Sequence, residues 1–232
     1  MTLMSEAGWL FLLRWIHFLS GITWIGLLYY FNFVQTPFVG ETQPAERGAL
    51  VPKLVPRALW WFRWGAMITF ISGWLYLLHF WVGKAGFGNA GAWAILLGGI
   101  LGSVMWANVW FVIWPNQKIV IQSAVDAAAG RPANPAAAAA GARAGLASRT
   151  NTMLSIPMLF FMASASHLQL GLPRSGLVFW IVALVIIAAL EYVALAGTPG
   201  KGPAKPLATV SGTLWEGFIL TLVFYIWFEV MR

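Results

Sequence analysis

Residues Trp9 to Val34, WLFLLRWIHFLSGITWIGLLYYFNFV, form an apolar run of about 26 residues. At a rise of ~1.5 Å per residue, a helix of that length crosses a hydrocarbon core of ~30 Å. Backbone amides inside a bilayer have no water to bond, so such a run predicts a transmembrane helix. Similar runs recur at about 57–82, 92–115, 152–172, 175–197 and 211–230. The fold class this predicts is all-α: one domain, an integral membrane bundle of about six transmembrane helices. Composition agrees, with 60% hydrophobic and only 9% charged residues. Fifteen tryptophans suit interfacial belts and helix contacts. A net charge of +7 fits basic cytoplasmic loops rather than nucleic acid, and the lipid bilayer is the expected partner. Cysteine is absent, which excludes disulfides, thiolate metal sites, iron–sulfur clusters and covalent c-type haem. It leaves b-type haem open, since that needs only His or Met ligands.

The connections differ in kind. Residues 35–56 hold four prolines, 83–91 form a Gly-rich turn around Lys84, and Pro115 is expected to close the third span. The long connection 116–150 reads as surface helices: an amphipathic stretch from Asn116 to Ala129, a break at GRPANP, and an Ala-rich helix former. TPGKGPAKP at 198–206 is too proline-rich for a helix. Ten of the fourteen Lys and Arg residues, among them Lys53, Lys118, Arg131 and Lys205, fall on the side of the first, third and fifth connections. The positive-inside rule makes that side cytoplasmic and places both termini in the periplasm of a bacterial inner-membrane protein.

All three histidines then fall near the outer face: His17 early in span one, His79 late in span two, and His167 late in span four. Ionisable residues within membrane spans are costly and point to function. Small residues one turn deeper, Gly21 below His17 and Ala163 below His167, leave low relief for a porphyrin. The expected axial pair, and the expected metal ligands, are therefore His17 and His167 around haem b, with His79 in reserve and Arg14 positioned for a propionate. The same histidines also suit interhelical hydrogen bonds or a copper or zinc centre, although no carboxylate lies within a turn of any of them. Met158 and Met162 read as packing residues. On the inner half, Arg63 is expected to form a structural ion pair with Glu191 or Glu216, and Asn108 to hydrogen-bond between helices.

Three segments carry a family resemblance: RWIHFLSGITWIGLLYYFNFVQTP (14–37), ANVWFVIWPNQK (107–118) and SRTNTMLSIPMLFFMASASH (148–167). Together they resemble the membrane domain of the bacterial urate hydroxylase family, over roughly 8–195. The resemblance implies a multi-helix membrane fold, redox chemistry, and oxidation of urate to 5-hydroxyisourate. His17, His167, Asn116, Gln117, Arg149 and Asn151 fall inside the matching segments. Two departures stand out. No CxxCH motif is present, so the family's C-terminal cytochrome c domain is expected to be absent and electrons to leave through a separate protein. In the second span, Trp60 and Gly65 stand where the family pattern has a histidine and an acidic residue. The polar PNQ and SRTN residues suit either a substrate mouth or helix capping. The expected function is a multi-pass membrane redox protein that binds haem b near the periplasmic face. It would exchange electrons with a periplasmic cytochrome c or a larger membrane complex. Two alternatives are a non-catalytic accessory subunit of a respiratory or photosynthetic complex, and a urate hydroxylase with a separate cytochrome acceptor.

Overall fold

The computed structural model describes residues 2–43, 50–80, 86 and 88–232. The expected turn around Lys84, together with Pro44, lies outside the described residues. Eight α-helices are described: α1 Glu6–Tyr29, α2 Thr36–Glu41, α3 Val55–Phe80, α4 Ala90–Ala107, α5 Trp114–Ala128, α6 Ala137–His167, α7 Gly176–Ala196 and α8 Val210–Met231. No strand occurs among the described residues. Long helices occupy all six expected spans. Among the described residues, four continuous helical segments are long and apolar enough to cross a membrane: Glu6–Glu41, Ala90–Ala128, Gly176–Ala196 and Val210–Met231.

Several starts are capped as their sequences allow. Ser5, Asn89, Ser175 and Thr209 each accept a hydrogen bond from an amide in the first turn of the helix that follows. Other expected breaks do not occur. π-helical segments at Tyr30–Gln35, Leu50–Leu54 and Asn108–Ile113 each end two residues before a proline, Pro37, Pro56 or Pro115. Proline lacks an N–H and its ring crowds the carbonyl four residues back, so a wider turn lets the helix pass through it. Thr36 N accordingly bonds Phe31 O, and Trp114 N bonds Val109 O. Pro115 therefore does not close the third helix, which runs on as α5.

The Ala-rich run is also not a separate surface helix. It forms the first turns of the 31-residue α6, where Ala144 and Ala147 are 1% and 0% exposed. At its far end α6 stops at His167, short of the expected limit at 172.

α6 is the axis of the bundle, with α4, α5, α7 and α8 around it, while α1 pairs chiefly with α3. Glycines set the closest approaches. A Cβ at Gly98 would lie 3.1 Å from Met158 O, one at Gly217 2.8 Å from Met153 O, and one at Gly65 3.2 Å from Ser20 O. Phe161, Phe179, Phe224 and Phe228 fill the core between α6, α7 and α8. Met158 and Met162 pack onto Gly98 and Gly102, as expected of packing residues. Outward faces of α7 and α8 carry exposed Leu177, Ile181, Val185, Phe218, Leu222 and Ile226.

Candidate ligand site

Two of the π-helical segments aim asparagines inward, a placement that such bulges often serve at functional sites. Asn32 Nδ2 donates to Leu28 O at 2.9 Å and to Ser148 Oγ at 2.8 Å. One turn earlier, the hydroxyls of Tyr29 and Ser155 hydrogen-bond at 2.8 Å. Asn108 Nδ2 donates to Asn151 Oδ1 and to Glu191 Oε2, both at 3.0 Å, and Asn151 Nδ2 donates to Met105 O at 2.9 Å. Asn108 and Asn151 are 1% and 0% exposed, so this polar seam is part of the core.

At one end of the seam, the π-helical segment that continues α1, together with α3, α5, α6 and the connection between α7 and α8, leaves a cavity of about 290 Å³. Phe31, Leu59, Phe62 and Ile113 give it apolar walls, and Asn32, Gln35, Gln117, Ser148 and Arg149 line it with polar groups. Two buried polar atoms here have no partner, Gln35 Oε1 and Arg149 Nη1. A buried polar atom without a partner costs about 1–3 kcal/mol, so the pair marks a place where a ligand would be stabilised. The chemistry is complementary: a guanidinium N–H seeks an acceptor and an amide oxygen seeks a donor. A small flat ring with C=O and N–H groups along one edge meets both, while Phe31 and Phe62, edge to face at 5.4 Å, offer apolar surface.

The residues singled out in the sequence have varied surroundings. His17 Nδ1 donates to Thr69 O of α3 at 2.9 Å and lies 3.3 Å from Ser72 Oγ. Its ring rests on Gly73, where a Cβ would come within 2.8 Å. The face of Gly21 is covered by the Thr69 methyl, 3.8 Å from a Cβ there, so it is not the bare patch expected for a porphyrin. Arg14 sits over the Tyr76 ring at 4.9 Å. His79 Nε2 pairs with Glu6 Oε1 at 2.8 Å, tying the start of α1 to the end of α3. His167 and Ala163 are exposed on the last turns of α6, and no described contact brings His167 to His17. No group of three His, Cys, Asp or Glu capable of holding a metal occurs among the described residues.

Arg63 has aromatic partners in place of the expected carboxylates. Its Cζ lies 3.6 Å from the Trp114 ring centre and 5.5 Å from that of Trp110. A cation over an indole face gains part of what an ion pair would provide. Glu191 is bonded to Asn108, and Glu216 lines a separate cavity. Asn116 donates to Val112 O within its own helix, and Thr150 and Asn151 lie well inside α6, so neither starts a helix. Trp60 is 47% exposed, and Gly65 is a contact point between α1 and α3 with no room for an acidic side chain unless they move apart.

Gln117 and Arg149 of the matching segments thus belong to a cavity, whereas Asn32 and Gln35 were missed. The available signal was a pair of amides three residues apart at the end of an otherwise apolar span.

The architecture is that of an all-helical domain among the described residues, rich in membrane-length apolar helices, with a partly open, largely apolar cavity that carries polar groups. Its affiliation is more specific: residues 75–214 match the family described as urate oxidase N-terminal, and the chain belongs to that family. The matched part runs from late α3 into α8 and includes Asn108, Gln117, Arg149 and Asn151. No curated protein and no solved structure matches the chain.

Proposed function

We propose that this chain is a six-span inner-membrane domain that binds urate, or a purine anion like it, in the cavity between the π-helical segment 30–35, α3, α5 and α6. The carrying observation is the pair of unpartnered buried atoms, Arg149 Nη1 and Gln35 Oε1, on one small cavity. Arg149 would take a ring carbonyl oxygen or the anionic charge, Gln35 a ring N–H, and Phe31 and Phe62 the ring. The family's reaction adds the oxygen of water to urate, giving 5-hydroxyisourate, two protons and two electrons. The cavity is lined from the connections read as cytoplasmic, so the electrons pass to a separate acceptor, a larger membrane redox complex that reaches that side or carries them across to a periplasmic cytochrome c.

The test is urate binding to the purified protein by equilibrium dialysis, followed by turnover with added cytochrome c. Arg149→Gln is expected to weaken binding at least about tenfold, roughly 1.4 kcal/mol. Absence of urate binding in folded protein, or full affinity in Arg149→Gln, would sink the reading.

A second reading, a haem b subunit, is favoured by one observation at His17. Donation from Nδ1 to Thr69 O leaves the lone pair of the neutral ring on Nε2, the arrangement used by metal-bound imidazoles. A reduced-minus-oxidised spectrum with a b-type α-band, lost in His17→Ala, is its expected signature. A haem-free, folded preparation removes it.

A further inference from the structure

A second cavity, of about 330 Å³, lies beside the start of α8. Its walls are apolar: Met153 of α6, Leu190 and Val193 of α7, and Pro203, Pro206 and Leu207 of the α7–α8 connection. The one ionisable side chain lining it is Glu216. Glu216 lines the cavity and makes no hydrogen bond or ion pair among the described residues. Beside it on α8, Trp215, Phe218 and Ile219 are 65%, 58% and 58% exposed, giving an apolar flank open to the surroundings. The connection also carries Lys201 and Lys205, both exposed, next to the lining residues Gly202, Pro203 and Pro206.

Five backbone hydrogen bonds close inside the connection, from Lys201 N→Thr198 O to Thr209 N→Pro206 O. Buried Ala204 and Leu207 anchor it. One carboxyl lining an apolar cleft, two exposed lysines on the connection that supplies its wall, and an apolar flank together call for a ligand with an ammonium, a phosphate and an acyl chain. A choline headgroup cannot donate a hydrogen bond to the carboxylate, and an anionic headgroup would be repelled by it. A free amine leaves the lysines and the flank unused.

We infer that this cavity is a headgroup site for an aminophospholipid of the phosphatidylethanolamine type, with the ammonium on Glu216 and the phosphate at Lys201 and Lys205. The inference rests on the membrane reading, though not on urate or haem. The experiment is thermal unfolding of the full chain in detergent with added phosphatidylethanolamine, phosphatidylcholine, phosphatidylglycerol or free ethanolamine. Phosphatidylethanolamine is expected to raise Tm at least twice as much as either other lipid, and ethanolamine to have no effect. Glu216→Gln should abolish the preference, and Lys201→Gln with Lys205→Gln should at least halve it. Equal shifts from all lipids, a matching shift from ethanolamine, or a preference that survives in the variants overturns the site. Should Glu216→Gln fail to fold, the exposed lysine variant decides alone. Alkaline carbonate extraction tests the membrane reading separately: a chain that is released refutes that reading, whereas a retained chain without lipid preference refutes only the site.

Discussion

Asn151 shows how much one side chain can hold together in this bundle. Its amide donates to Met105 O and its oxygen accepts from Asn108, which also donates to Glu191. Asn151→Leu would leave Met105 O short of a partner and Asn108 half-satisfied, at a cost of about 1–3 kcal/mol. A lowered unfolding midpoint with unchanged helix content by circular dichroism is the expected result. Beyond the expected span 92–115, in the polar end of its helix, Asp126 receives Arg131 Nη2 at 2.6 Å and Nε at 3.0 Å, and these bonds hold its carboxyl below the ordinary carboxylate value. A lowered folded-state value means the clasp is fully formed above the ordinary value and is lost as pH falls through the lowered one. A spin label at the exposed Ala133 should therefore gain mobility only in that acid range, and in Asp126→Asn at every pH.

At the scale of elements, helix contacts depend on glycine where backbones nearly touch. Gly217→Val would place its Cβ 2.8 Å from Met153 O and push α8 off α6, costing about 1–3 kcal/mol as overpacking does. Gly26 has nothing within 4 Å of a Cβ. Gly26→Ala is expected to leave stability unchanged or raise it by up to about 1 kcal/mol. Thermal unfolding of the two variants side by side measures the contrast. The π-helical segments belong to this scale too. Prolines at 37, 56 and 115 read as breaks in the sequence, because the rule describes a helix in α register. Widening the preceding turn removes the clash and keeps the chain helical, and in the process rotates Asn32 and Asn108 into the core.

For the whole molecule, the charge distribution predicts cytoplasmic odd-numbered connections and periplasmic termini. The chain has no cysteine, so single cysteines report topology without background. Thr2→Cys should react with an impermeant thiol reagent from the periplasmic side, and Arg131→Cys only after the membrane is opened; the reverse pattern would refute the orientation. Helix content, four of the six expected membrane-length apolar spans and the two family segments that fall within 75–214 were legible in the sequence, because length, hydropathy and short motifs are local properties of the chain. The partners of its costly polar groups were not. His17 met the backbone of α3, Arg63 met two indole faces, and Glu191 met an asparagine, since each choice depends on how helices distant in sequence rotate against one another. The cavity holding Gln35 and Arg149 was decided in the same way: its two sides come from segments more than a hundred residues apart, and only the packing of α1 and α3 against α5 and α6 brings them face to face.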